Sequence, residues 1–345
     1  MKVLYTLLLL ISFKLQAQEY NFKLVDLSVA SSIRGLAVVD DQIVWTSGTS
    51  GTVCKSINGG KSFDCITVPQ NEKADFRSIY AFDSRKAIIA NVGSPAKIFL
   101  TEDGGKNWQE VYVNNHKDAF IDGIDFWNEK TGIAFGDPID GKLLLLKTND
   151  GGKTWSEFPE ESIPEMENGE ASFAASGTTI RCFENGKVII ATGGKVSRLL
   201  VSENFGETWN TVYTPIMQGE SSTGIFSFDF INTKDGIIVG GDYKNDSLTT
   251  DHVFYTTSGG VGWQRPAIPT LGYRECVMFV NDTIALATGP TGIDITYDAG
   301  NYWEPVSDLK NFHTIRKSKK GDLIVLSGKT GKIATMSAKA LTEVK

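Results

Sequence analysis

The chain has 345 residues, 41% of them hydrophobic, and a formal net charge of −7. That length holds one large domain or two ordinary ones, and the acidic balance argues against generic attachment to nucleic acid or an anionic membrane. Four cysteines do not make a disulfide scaffold in a chain this long.

The first stretch, "MKVLYTLLLLISFKLQA", places Lys2 before an apolar run from Val3 to Phe13 and ends on the small residue Ala17. This order predicts a secretory signal peptide over 1–17 and a single domain over 18–345. The apolar run, about 11 residues, is too short to cross a bilayer as a helix. No cysteine lies near the cut, which argues against a lipid anchor, and no later stretch has transmembrane length. The expected product is secreted or periplasmic, soluble and monomeric.

After a strand-like run, "YNFKLVDLSV" (20–29), the chain enters a unit of four short apolar runs. In the first unit these are "RGLAVV" (34–39), "QIVWTSG" (42–48), "TVCKS" (52–56) and the run that follows Phe63. Lengths of four to seven, β-branched residues and Gly or Asp punctuation read as strands. The third and fourth are joined by the octet "SINGGKSF" (56–63), which returns as "TEDGGKNW" (101–108), "TNDGGKTW" (148–155), "SENFGETW" (202–209), "TTSGGVGW" (256–263) and "TYDAGNYW" (296–303).

Three octet positions carry a physical meaning. The third is Asn58, Asp103, Asp150, Asn204, Ser258 or Asp298, side chains that accept N–H groups just ahead and fold a turn on themselves. The fifth is Gly60, Gly105, Gly152, Gly206, Gly260 or Gly300, supplying the positive φ such a turn needs. The eighth is Phe63, Trp108, Trp155, Trp209, Trp263 or Trp303, a large apolar surface for the gap between sheets. Cys54 and Cys65 flank the first octet at equal distance. If the octet is a hairpin turn, they face each other on adjacent strands, near enough to bridge; both the bridged and the free form remain open. Cys182 and Cys276 are expected as buried free thiols.

Octets recurring every 40 to 54 residues signal a propeller or solenoid. A seventh unit, "HTIRKS" (313–318), "DLIVLSG" (322–328) and "KIATMSA" (332–338), has neither an octet nor a closing strand. The N-terminal run at 20–29 is expected to supply that strand, leaving no open edge between the chain ends. The expected fold is an all-β, seven-bladed propeller of four-stranded antiparallel blades, with six blades as the alternative.

The octet resembles the Asp-box, or BNR, repeat of sialidases, sortilin-type receptors and xyloglucanases. The stretch "IRGLAVVDDQIVWTSGTSGTVCKSINGGKSF" (33–63) is most similar to the photosystem II stability and assembly factor-like propellers and their exported bacterial relatives. That resemblance implies turns on one face and a site on the other, where the first strands of the blades begin. Aligning the units puts Arg34, Arg77, Asp122, Thr178, Phe226, Arg274 and His313 at those starts, with Asp137 and Asp242 on nearby loops. The longest connections, including 159–173, are expected to rim the same face.

Two functions follow from the resemblance. One is a non-catalytic binding or assembly propeller gripping a protein or anionic ligand through Arg34, Arg77, Asp122, Asp137, Asp242, Arg274 and His313. The other is a glycosidase or lyase acting on an acidic glycan. Guanidinium groups suit carboxylates through forked pairing, but Asp122, Asp137 or Asp242 could neutralise them internally. No Tyr–Glu nucleophile pair is evident in the sequence, and Tyr273 is the best-placed tyrosine. "SGKTGK" (327–332) lacks the first glycine of a phosphate-binding loop, and neither H-E-x-x-H nor C-x-x-C occurs. No cofactor and no metal are expected.

Overall fold

The computed structural model describes residue 20 and residues 22–307 and 309–342. The leader expected over 1–17 lies outside them. Seven sheets surround a central channel, and the first strands of blades 1 to 7 are Ile33–Val38, Asp75–Ala81, Ile121–Phe126, Ile180–Cys182, Thr223–Phe230, Cys276–Phe279 and Phe312–Lys317. All the strand pairs are antiparallel, and the N-terminal strand Lys23–Asp26 pairs with Lys332–Ser337 as the outer strand of blade 7. The ring therefore closes with the first and last described strands in one sheet. Blade 5 departs from the pattern: its outer strand shrinks to a Tyr255–Gln264 bridge, and two short pieces, Glu170–Ala171 and Gly193–Gly194, extend its inner edge. Among the described residues no helix is long and apolar enough to cross a membrane.

Every octet folds into the same corner. The hydroxyl of its first residue accepts the N–H of the fifth-position glycine in all six copies, at 2.9 to 3.1 Å. The third-position side chain accepts the seventh-position N–H, as Asp150 does from Thr154 at 3.0 Å. Gly152 shows why glycine is needed. Its φ is +85°, and an added Cβ would stand 2.2 Å from Ile88 Cδ1. The fourth-position N–H donates to a carbonyl in the turn between the blade's first two strands, as Gly59 does to Gln42 and Gly151 to Lys130. The corners and those turns thus occupy one face, called the lower face below.

The core lies between blades. Each octet aromatic packs into the gap with the preceding blade: Trp108 lies edge-on to Trp45 of blade 1, while Trp155 and Trp263 lie edge-on to Phe126 and Phe230 of their own blades within clusters shared with blades 2 and 4. Phe63 fills the gap between blades 7 and 1. Blade 7 has no octet aromatic to offer blade 6. Tyr20, Phe22 and Leu341 take that place, the last on the short helix Lys339–Thr342, and the Tyr20 and Tyr297 hydroxyls meet at 2.6 Å.

Cys54 and Cys65 are directly opposed in register and bridged. Cys276 is a buried free thiol, while Cys182 is only half-buried. Closing a loop of sequence separation 11 restricts the unfolded chain. Cys65→Ser is expected to lower stability by about 2–3 kcal/mol. Urea melts with and without reductant check this; a wild type whose midpoint ignores the reductant would contradict it.

Candidate functional site

The first strands share a device that aims side chains into the channel. In blades 1, 2, 3, 5 and 7 the register with the second strand steps by one residue, and the residue at the step is Arg34, Arg77, Asp122, Phe226 or His313. Such a bulge re-aims one side chain without breaking the sheet. A buried apolar residue precedes each step (Ile33, Phe76, Ile121, Ile225, Phe312), and a small residue follows it.

At the upper end lies a cavity of about 520 Å³ lined by Arg34, Arg77, Asp137, Glu275, His313 and an aromatic group. Phe173 stacks on Phe226 with centroids 3.8 Å apart, while Tyr243 and Tyr273 meet Phe226 edge-on. Glu275 sits at the centre of the polar wall. Its Oε2 accepts from His313 Nδ1 at 2.5 Å and from Arg34 Nη1 at 3.3 Å. Burial alone would raise the Glu275 pKa, but the His313 hydrogen bond and the Arg34 charge outweigh it and hold the carboxyl below its usual range. Burial lowers the His313 pKa despite Glu275. A neutral ring with hydrogen on Nδ1 then leaves Nε2 to accept from Ser32 Oγ at 3.0 Å.

The expected residues divide. Arg34, Arg77, Asp137 and His313 meet at the upper mouth. Arg274 does not. It stands one residue before the channel position of blade 6, where other blades have their apolar residue, and it is buried against Asp294. Glu275 occupies the channel position instead. Asp242 turns its carboxylate back to the Lys244 N–H, and Asp246 lines the mouth in its place. The arginines are indeed neutralised, but by Glu275, Asp75 and Asp294 rather than by Asp122, Asp137 or Asp242. Thr178 is buried, hydrogen-bonded to Ser227 and Ser176.

Asp122 is fully buried, and neither of its carboxylate oxygens has a hydrogen-bond partner among the described residues. Desolvation first, and then Asp137, push its pKa well up, with Arg77 opposing. The native state therefore keeps a proton that the unfolded chain has lost. Stability contributed by this group is highest below the unfolded pKa and falls as pH rises toward the folded one, by up to about 1.4 kcal/mol per pH unit. Asp122→Asn is expected to flatten the decline between pH 4 and 7. Parallel urea-midpoint profiles for the two proteins would contradict this.

The connection expected as a rim over 159–173 enters the channel instead. Residues 170–179 form a strap across it, with Ala174 and Ala175 lining the upper cavity and Gly177 and Thr178 lining a separate lower one. Arg34 donates to the Ala175 carbonyl from above at 2.7 Å, and Arg316 to the Gly177 carbonyl from below at 2.9 Å. Ser176 Oγ donates to the Glu275 carbonyl at 2.8 Å. The upper mouth is thus a floored pocket. Of the groups weighed for glycan cleavage, Tyr273 and Asp122 are buried and the Asp242 carboxylate turns back to its own loop. No group of three or more metal-ligating side chains occurs among the described residues.

The family model described as "Photosynthesis system II assembly factor YCF48" matches residues 13–119. The chain is a propeller that resembles the photosystem II assembly factors. This assembly factor-like propeller is 23% identical over 329 residues to the photosystem II assembly lipoprotein Ycf48 of Synechococcus sp. (strain CC9902), covering 92% of this chain and 88% of that one. It is also 23% identical over 165 residues to the chloroplastic photosystem II stability/assembly factor HCF136 of Oryza sativa subsp. japonica, covering 47% and 38%. Among solved structures, "YCF48 bound to D1 peptide" superposes with a TM-score of 0.69 at 15% identity, covering 93% of this chain and 98% of the other. "YCF48 from Cyanidioschyzon merolae" gives 0.68 at 16%, covering 92% and 99%. At such identities the superpositions establish the fold.

Proposed function

We propose that this propeller is an exported, non-catalytic binding protein that holds a polypeptide segment of a partner in its upper mouth. The observation that carries the reading is the pairing of a stacked aromatic shelf, Phe173 on Phe226, with two part-exposed guanidinium groups over a closed floor. Arg34 keeps 18% of its side-chain surface and Arg77 33%. Arg77 bonds Asp75 through Nε at 2.7 Å, so its outer nitrogens remain free to fork onto a carboxylate. An aromatic or aliphatic side chain on the shelf and an acidic group on Arg77 make a short peptide of that composition the matching ligand. The structural neighbour named as bound to a D1 peptide supports peptide capture on this fold.

Export rests on the leader expected over 1–17 and is supported by the Cys54–Cys65 bridge, a bond suited to an oxidising compartment. A curated relative is named as a lipoprotein.

Fluorescence anisotropy with labelled acidic-aromatic peptides tests the reading. Saturable, salt-sensitive binding should weaken at least about tenfold in Arg77→Ala, the loss expected for one charge-assisted pair. Absence of binding, or equal binding by Arg77→Ala, would overturn it. Turnover of a sialoside or uronic-acid glycan, lost in the same variant, would overturn its non-catalytic part.

A further inference from the structure

Below the strap the channel holds a second cavity of about 450 Å³, opening on the face of the octet corners. Its ionisable lining is Arg181, Arg316, Lys317 and Lys319 against Asp125 and Asp229, an excess of two positive charges in a protein that is net negative. Most of these charges are committed. Arg181 pairs with Asp229, and the Lys317 ammonium donates to the Gly321 carbonyl at 2.6 Å. Asp125 accepts the N–H groups of Phe126 and Cys182 at 2.9 and 2.7 Å.

Two cations are left over. Arg316 spends one nitrogen on Gly177 and has no carboxylate within 4 Å among the described residues. Lys319 has neither a carboxylate nor a hydrogen-bond acceptor for its ammonium there; it stands 4.1 Å over the Tyr80 ring. Lys319 keeps much of its surface open, yet the channel wall around it lowers its pKa through desolvation, with Asp125 opposing and Arg316 adding to the effect. Unspent positive charge facing a walled cavity is what an oxyanion relieves. A guanidinium offers a fork to two oxygens and an ammonium a point charge to a third.

We infer that the lower cavity is a binding site for a small oxyanion, a phosphoryl or carboxylate group, held between Arg316 and Lys319. It lies across the strap from the proposed peptide site and shares no side chain with it. A walled, partly dehydrated setting strengthens such pairing over that at an open surface.

Isothermal titration of the whole exported chain at low ionic strength, with inorganic phosphate in one arm and malonate in the other, tests the assignment. Saturation by phosphate identifies a phosphoryl ligand; saturation by malonate, a carboxylate one. Either should weaken at least tenfold in Lys319→Ala, a variant that removes no hydrogen bond or ion pair from the fold, and stay unchanged in Arg77→Ala. Arg316→Lys, which keeps the charge but loses the fork, should bind with an intermediate loss. Failure of both anions to saturate, full affinity in Lys319→Ala, or a loss in Arg77→Ala equal to that in Lys319→Ala would each overturn the assignment.

Discussion

Arg274→Ala is expected to destabilise the protein by about 3–5 kcal/mol, the cost of leaving one member of a buried ion pair alone. Arg274 and Asp294 are each about 1% exposed, and the guanidinium also donates to Thr291 Oγ1 and the Tyr273 carbonyl at 2.7 and 2.9 Å. Burial raises the Asp294 pKa while Arg274 opposes it. Truncating Arg274 removes that opposition, so Asp294 must carry an unpaired charge in the core or take a proton. The deficit should therefore be largest near neutrality and shrink as pH falls and Asp294 protonates. Replacing both partners, Arg274→Met with Asp294→Leu, should recover most of the loss, because apolar groups of similar volume leave nothing unpaired. Urea melts of the wild type, single and double variants decide this. A stable Arg274→Ala, or a double variant no better than the single, would contradict it.

That expectation reverses the role the sequence suggests for Arg274, and the reason is a matter of register. Unit alignment sets Arg274 beside Arg34 and Arg77 because all three precede a short apolar run. The bulges show a finer pattern, an apolar residue, a channel residue and a small residue: Ile33-Arg34-Gly35, Phe76-Arg77-Ser78, Ile121-Asp122-Gly123, Phe312-His313-Thr314. The small residue was the signal that could have corrected blade 6, where Cys276 follows Glu275. Blade 6 hides the pattern by placing an arginine at the apolar position, tolerable only because Asp294 reaches it from a strand 20 residues on. Such a pairing is long-range and leaves no local trace.

The fold itself was readable because its causes are local. A hydroxyl, a carboxylate or amide, a glycine at positive φ and an aromatic lie within eight residues of one another, so a corner announces itself each time. Ring closure by 20–29 was readable for a similar reason: one unit lacked a strand and one strand lacked a unit. The strap was not. Its hold on the channel depends on Arg34, Arg316 and Glu275, residues 99 to 141 positions away, and the long octet step between blades 3 and 4, matched by the one between blades 4 and 5, hinted only at added chain.

The strap is anchored at one buried point, and removing it should have an effect as large as that at Arg274. Glu170 and Arg198 form a forked pair at 2.8 Å on both oxygens, with Thr192 Oγ1 donating to the same carboxylate at 2.6 Å and Arg198 Nη2 donating to the Glu165 carbonyl at 2.6 Å. Both side chains are buried. Glu170→Ala strands the guanidinium in the interior, and about 3–5 kcal/mol of stability should go with the pair. The loss has a place as well as a size. Freed at residue 170, the strap should open before the blades do, because its remaining ties are the Phe173–Phe226 stack and single hydrogen bonds worth about 1 kcal/mol each. Amide exchange should therefore quicken over 170–179 far more than in the blade 1 strand Ile33–Val38. Equal protection loss in strap and blade would mean that the pair supports the ring as a whole and that the strap is merely the segment that carries it.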